Sequence, residues 1–219
     1  PDLDTRMDAP EFCEAAGVAR LSWSAKDDST PEPVLTLKSP TVRFGNVSVR
    51  IPPDSFLQPT ETGEAALQAW VLRATDGSRT VADLYAGCGA FSFPMAAAGK
   101  TVTAYEGVAG QITALRAAAA GRSLSGEIRD LARQPLRADD LARFDAVVLD
   151  PPRGGAAPQI GTLAGSDVPL IAYVSCNPAT FARDARVLVD GGYVLGNVQP
   201  VDQFLWSPHV ELAGIFQRN

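Results

Sequence analysis

A cysteine stands in Ser175-Cys176-Asn177-Pro178, directly after the apolar run Leu170–Val174. The run reads as a buried strand, and Asn-Pro turns the chain sharply behind it. The thiol therefore sits at the carboxyl end of a strand, the edge at which open α/β sheets bind ligands. As a thiolate it would be a nucleophile. A second apolar run, 145–149, ends in Asp150-Pro151-Pro152-Arg153-Gly154-Gly155. The prolines stiffen the backbone and present Asp150 and Arg153 at another strand end. Near the C terminus, His209 and Glu211 stand two residues apart. They share a face if that segment is a strand. A nucleophile, two acids, an arginine and a histidine are thus expected at neighbouring strand ends.

The upstream half carries a different signal. Val81-Ala82-Asp83-Leu84-Tyr85-Ala86-Gly87-Cys88-Gly89-Ala90-Phe91-Ser92 is a strand, a glycine-rich turn and the start of a helix. Gly87 and Gly89 let backbone approach a ligand closely, beside the free N–H groups of a helix start. A dinucleotide fingerprint wants a third glycine where Ser92 stands, so the match to NAD binding is incomplete. Glu106 follows the next strand, 17 residues after Gly89. A carboxylate there can accept both hydroxyls of a ribose. Asp130 ends a third strand and could meet an adenine edge. The bland alternatives are a tight turn for the glycines, a solvated loop acid for Glu106 and simple packing for Cys88. An acid before the glycine turn, a ribose carboxylate and a later Asp-Pro-Pro resemble the S-adenosylmethionine (SAM) pattern of class I methyltransferases.

These residues need a scaffold, and the pattern from Thr80 on supplies one. Strands are expected at 80–85, 101–105, 126–129, 145–149, 170–174, 193–199 and 210–216. Helices are expected at 90–98, 108–119, 136–141, 156–163 and 178–189. This alternation predicts a doubly wound, mostly parallel seven-stranded sheet, Rossmann-like, with the last two strands as an antiparallel pair at one edge. Thr60 is expected to cap a helix running to Leu72. Before it, residues 1–16 read as a short acidic helix or tail. Short runs at 18–23, 34–37, 41–44 and 47–51 suggest a small antiparallel unit, with turns at Asp27–Pro31 and Gly45-Asn46. The expected division is residues 1–55 as the end of a β-rich domain and 56–219 as a catalytic domain.

Composition sets limits. The chain has 219 residues and a net charge of −6. Residues 1–65 hold 6 Lys and Arg against 11 Asp and Glu, so the acidity is concentrated there. An acidic chain is not the usual footprint of a nucleic-acid binder. Local arginines or a further domain would have to supply such affinity. Cys13, Cys88 and Cys176 are odd in number and widely spaced, which argues against disulfides and points to a reducing, cytoplasmic setting. The lone histidine offers no metal ligand set. No apolar run approaches the ~20 residues of a membrane span. The first residue is Pro1, which reads as a piece of a longer or processed protein.

The order of motifs carries a resemblance to a known family. Phe56-Leu57-Gln58, the run 83–91, Asp150–Gly154, Ser175–Thr180 and His209-Val210-Glu211 resemble, in that order, the RNA 5-methyluridine methyltransferases. The resemblance implies SAM-dependent methyl transfer to C5 of a uridine, in rRNA before tRNA. It implies Cys176 as nucleophile and Glu211 as base, with Asp150 beside them. Gln58, Asp83, Tyr85, Gly87, Gly89, Ala90, Glu106, Asp130 and Asp150 would form the SAM site. Gln58, Arg153, Asn177 and His209 would meet the RNA. Cys176 would add to C6 of the uracil, C5 would take the methyl group, and Glu211 would remove the C5 proton. The thiol's pKa should then be lowered, by Arg153 or a helix N-terminus. Arg183 and Arg186 are phosphate contacts or a solvated helix face. Thr60 and Leu205-Trp206 depart from the family's usual Asn and Phe-Pro. Larger members carry an N-terminal RNA-binding barrel, some with a four-cysteine iron–sulfur site; neither pattern is present in this chain. The expected partner is RNA, the expected state a monomer. The competing readings are an amino-methyltransferase acting on adenine or cytosine, and a catalytically silent RNA-binding module.

Overall fold

The structure, a computed structural model, describes residues 3–25 and 31–218. Helix α1 (Leu3–Ala16) is followed by four short strands, β1 (Arg20–Trp23), β2 (Glu32–Thr36), β3 (Thr41–Phe44) and β4 (Val47–Arg50). Helix α2 spans Glu61–Ala74, and strands and helices then alternate. They are β5 (Thr80–Leu84), α3 (Ser92–Ala97), β6 (Thr101–Glu106), α4 (Ala109–Ala118), β7 (Leu124–Ile128) and α5 (Ala138–Leu141). They continue as β8 (Ala146–Leu149), α6 (Ala157–Ala164), β9 (Leu170–Ser175), α7 (Pro178–Asp190), β10 (Val194–Val201) and β11 (Glu211–Gln217).

The alternation builds the expected sheet. Its order is β10-β11-β9-β8-β5-β6-β7, with β11 antiparallel to both neighbours and the other pairs parallel. The connections from β5 and from β8 leave in opposite directions. The carboxyl ends of these two strands therefore open a crevice at the centre of the sheet.

The sheet is covered on both faces, which is why its central strands are largely apolar, with Asp83 of β5 a buried exception. Alternate residues feed two cores. Val81, Ala146, Val148, Ala172 and Val174 pack with α2, α3 and α4. Ala82, Leu84, Val147, Leu149, Ile171 and Tyr173 pack with α5, α6 and α7. Burying each such Leu or Val fully contributes roughly 1.5–3 kcal/mol. The β3–β4 hairpin joins the first core through Phe44, Val47 and Val49, and the Phe44 ring stacks on Phe93 at 6.4 Å. β1 and β2 form a separate two-stranded sheet.

Local signals explain most boundaries. Thr60 caps α2: its Oγ1 accepts from Gly63 N at 3.0 Å, and Glu61 and Glu64 complement the helix dipole. Asn177 caps α7, accepting from Ala179 N at 3.0 Å, with Pro178 in the first turn. The Gly45-Asn46 turn joins β3 to β4, with Gly45 at φ +60°. Helix α3 starts at Ser92, later than position 90, because Gly87 and Gly89 adopt φ of +57° and +100° and keep the chain in turns. His209 lies before β11, in a loop, so it is not on one strand face with Glu211. The turn expected at Asp27–Pro31 lies almost wholly outside the described residues.

Candidate active site

Register brings the chemistry together. Leu84 pairs with Leu149, and Leu149 with Tyr173. Tyr85, Asp150 and Cys176 follow these strand ends within a few residues of one another. Antiparallel pairing of Leu212 with Ser175 places Glu211 beside the end of β9, next to Cys176. A cavity of about 500 Å³ opens above these ends. Gln58, Tyr85, Gly87, Ala90, Glu106, Asp150, Arg153, Cys176 and Glu211 all line it.

One end of the cavity is built on the glycine turn. Glu106 closes β6, and both its oxygens are held by backbone: Oε2 accepts from Gly87 N at 3.0 Å and Oε1 from Val108 N at 2.8 Å. Each oxygen keeps a free lone pair, so the carboxylate can take two hydroxyls. A Cβ on Gly87 would meet only Gln111, 3.7 Å away, and would otherwise project into the open space. Phe44, Phe91 and Val108 give this end apolar walls. An acid poised for a diol, a bare backbone turn and flanking apolar surface fit the nucleoside of SAM.

The other end gathers buried acids. Glu211 is 1 % exposed, and its Oε2 has no hydrogen-bond partner. Burial pushes its pKa up from 4.5 to about 7, while a hydrogen bond from Gln203 opposes the rise. Burial, with the negative charges of Glu211 and Asp83, raises Asp150 well above the carboxylate range; a hydrogen bond from Gln58 Nε2 (3.2 Å) opposes this. The Cys176 thiol is also raised, by burial first and then by Glu211 and Asp150. Arg153 pulls it down, as the sequence led us to expect, but is outweighed. The expected lowered thiol is therefore not seen: burial, aided by two acids, outweighs one arginine. The group holds its proton until something removes it.

Other expected residues serve the site from outside the cavity lining. Asp83 is fully buried, accepts from Ser92 Oγ at 2.5 Å, and lies behind the turn. Ser92, the residue that broke the NAD fingerprint, is thus the partner of that acid. Gly89 faces inward, where a Cβ would collide with the Phe93 ring. Asp130 is spent on its own turn, accepting from Ala132 N at 3.0 Å and Arg133 N at 3.2 Å. It does not reach the cavity, so its expected adenine contact finds no support in this geometry. Asn177 donates from Nδ2 to Arg153 O at 3.0 Å, tying the cysteine turn to the Asp-Pro-Pro-Arg loop. His209 lies against Arg153, whose Nη2 is 3.0 Å from Nδ1, and not against Glu211. Arg183 donates to Gly154 O at 3.1 Å, and Arg186 pairs with Asp190 on its own helix. Gln203 went unnoticed in the sequence. It is 3 % exposed and donates to Gln58 Oε1 at 2.6 Å, and only its place two residues after β10 marks it. Among the described residues, no group of His, Cys, Asp or Glu could hold a metal ion, and no helix is long and apolar enough to cross a membrane.

Comparison with known proteins agrees with the geometry. Residues 125–219 match the model of the tRNA (uracil-5-)-methyltransferase family. An uncharacterized RNA methyltransferase of Mesorhizobium japonicum is 46 % identical over 217 residues, covering 97 % of this chain and 51 % of the relative. One of Caulobacter vibrioides is 44 % identical, covering 98 % of this chain and 51 % of the relative. The chain thus spans about half the length of these curated relatives. Among solved structures, the Pyrococcus abyssi tRNA (uracil-54, C5)-methyltransferase with S-adenosyl-L-homocysteine superposes with a TM-score of 0.76. It is 26 % identical, over 91 % of this chain and 51 % of that one. More distant class I methyltransferases share the fold, among them Pyrococcus horikoshii TYW2 with MeSAdo at a TM-score of 0.61 and 15 % identity. The ordered motifs, the sheet and these matches agree: residues 125–219 match the tRNA (uracil-5-)-methyltransferase family, and the chain as a whole is similar to RNA methyltransferases.

Proposed function

We propose that this chain is the catalytic part of a SAM-dependent enzyme that methylates C5 of a uridine in rRNA or tRNA. The convergence of Cys176, Asp150 and Glu211 at one end of a cavity whose other end carries Glu106 supports this reading. SAM, held through its ribose by Glu106 and against the Gly87 turn, supplies an electrophilic methyl group. C5 of uracil is too weak a nucleophile to take it unaided. Cys176 Sγ, once deprotonated, adds to C6, and the electron pair of the C5–C6 bond becomes available at C5. After C5 has accepted the methyl group, Glu211 removes the C5 proton, the C5–C6 double bond re-forms and Sγ leaves.

The raised pKa values suit these roles. A carboxyl near 7 exchanges protons at neutral pH. Cys176 does not begin as a thiolate; closure of the site over RNA and SAM would have to bring a proton acceptor to it. The uridine must leave its stack to enter the cavity, as in other base-modifying enzymes. Phe56, 66 % exposed at the rim, offers it an aromatic surface. Arg153 and His209 stand at the same rim for phosphate or base contacts.

We further propose that residues 56–219 form the catalytic domain and that 1–55 end a preceding β-rich domain. RNA affinity would then come largely from the part of the full-length relatives that lies outside this span. The test is to incubate this chain with SAM carrying a labelled methyl group and RNA from cells lacking the gene, then map the modified nucleotide. Label at C5 of one uridine supports the reading. Label on an exocyclic amine, retained in Cys176→Ala, would sink it in favour of amino-methylation.

A further inference from the structure

Two glutamines lie between the two acids. Gln203 Nε2 donates to Gln58 Oε1 at 2.6 Å, and Gln58 Nε2 donates to Asp150 Oδ2 at 3.2 Å. Gln203 also stands beside Glu211 and opposes the rise of its pKa. The hydrogen bonds therefore run Gln203, Gln58, Asp150, with Glu211 beside the first glutamine. In this arrangement each amide turns its nitrogen toward the next acceptor, Gln203 toward Gln58 Oε1 and Gln58 toward Asp150 Oδ2. Reversing Gln58 alone would set its nitrogen against the Gln203 nitrogen and lose that bond. Gln203 itself gives up a partner to hold this direction: its Oε1 is buried, unpaired, and packed against Gly63, where a Cβ would overlap it.

We infer that Gln203 is a positioning residue that fixes which way round the Gln58 amide faces the cavity, and so sets a preference for uracil over cytosine. The inference rests on the proposed reaction. With one bond of each kind spent on the protein, Gln58 keeps one N–H and one oxygen lone pair for a ligand. Along its pairing edge uracil offers O4 as acceptor and N3–H as donor. Cytosine offers the reverse, an N4 amino donor and N3 as acceptor. A free amide rotates by half a turn and serves either base. A locked amide serves one and leaves buried polar groups unpaired against the other, which is how a polar site rejects a near-isostere.

The test uses one RNA loop with 5-fluorouridine or 5-fluorocytidine at the target position, incubated with SAM and this chain. Fluorine at C5 leaves no proton for Glu211 to take, so the Cys176 adduct persists and is counted on a denaturing gel. Wild-type protein should trap the uridine loop in preference. Gln203→Met keeps the length of the side chain and removes both donors. It should narrow the uridine-to-cytidine ratio at least tenfold, with trapping of the cytidine loop no slower than in wild type. SAM affinity should stay within about twofold, because Gln203 lies outside the donor end. Gly63→Ala, which displaces Gln203 from behind, should narrow the ratio in the same direction. If wild type traps the uridine loop and a variant that still binds SAM keeps the wild-type ratio, the role of Gln203 is overturned alone. If both variants lose trapping of both loops together with SAM binding, Gln203 is a fold residue and the inference fails. If wild type binds both loops and traps neither, the uridine reaction is overturned and the inference falls with it.

Discussion

Carboxylates stand at both ends of the cavity, and the two ends treat them oppositely. At the glycine turn, Glu106 is half-exposed and each oxygen already receives a backbone N–H. At the strand ends of β8 and β11, Glu211 is screened from water and short of donors, and the half-buried Asp150 beside it has one, Gln58. The first arrangement makes a fixed charge, suited to holding a ligand that does not react at that point. The second makes groups that hold protons near neutrality, suited to moving them. One sheet edge thus separates binding from proton transfer by burial and donor supply alone.

Substitutions that cross this division should have effects of very different size. Cys176→Ala removes the nucleophile and should cut methyl transfer by about 10⁴-fold or more, with SAM affinity by calorimetry unchanged. Transfer at an appreciable rate in that variant would break the proposed chemistry. Glu211→Gln should cost about 10²–10⁴-fold in turnover and let a protein–RNA adduct accumulate on denaturing gels. Glu106→Ala should act at the other end only. Loss of charge-assisted bonds to the ribose is worth roughly 1.5–3 kcal/mol, a tenfold to hundredfold weaker Kd for SAM, with adduct formation restored at saturating SAM. Ser92→Ala should be the mildest. It strips Asp83 of the Ser92 hydroxyl, costs about 1–3 kcal/mol of stability, read as a lower Tm, and changes SAM affinity little.

The pH response sharpens the same contrast. Asp83 and Glu211 are each pushed up to about 7, Asp150 is raised too, and burial is the main cause in all three. The native state therefore binds more protons than the unfolded chain between the ordinary carboxylate range and about 7. Stability should fall as pH rises through that window. For Glu211 alone the loss is roughly 3 kcal/mol, so Glu211→Gln should raise Tm above wild type at about pH 8 while lowering turnover. Activity should run the other way and rise with pH through about 7, because the base must be ionised. Asp140 and Asp145, whose pKa values are lowered, act only at still lower pH. Tm and methyl transfer measured across about pH 5 to about pH 8 should trace opposed curves; parallel curves would remove Glu211 as the base.

Much of this was legible in the chain. Runs such as 146–149 and 170–174 can only be central strands, so the sheet and the strand-end placement of Asp150 and Cys176 followed from pattern. Thr60 and Asn177 announced their helices by cap chemistry. What pattern could not supply was the distance between side chains far apart in sequence. Gln203 is an ordinary polar residue in a loop until β11 folds back and buries it beside Gln58. The rise of the Cys176 thiol depends first on its burial and then on the acids that share its pocket, neither of which a local motif contains. Asp130 Oδ1 accepts from its own turn and the residue lies off the cavity lining, a placement that spacing does not reveal.

Glu211 is the first residue of β11, and its position is set by pairing with β9 rather than by the loop that precedes it. The loop behaves as slack. Between Gln203 and His209, the stretch that includes the wholly exposed Trp206 carries no site residue. Residues could be inserted there without moving Glu211, whose place is held by the β9–β11 pairing. A single-residue slip of β11 against β9 would do the opposite, turning Glu211 to the other face of the sheet and leaving every other part of the enzyme in place.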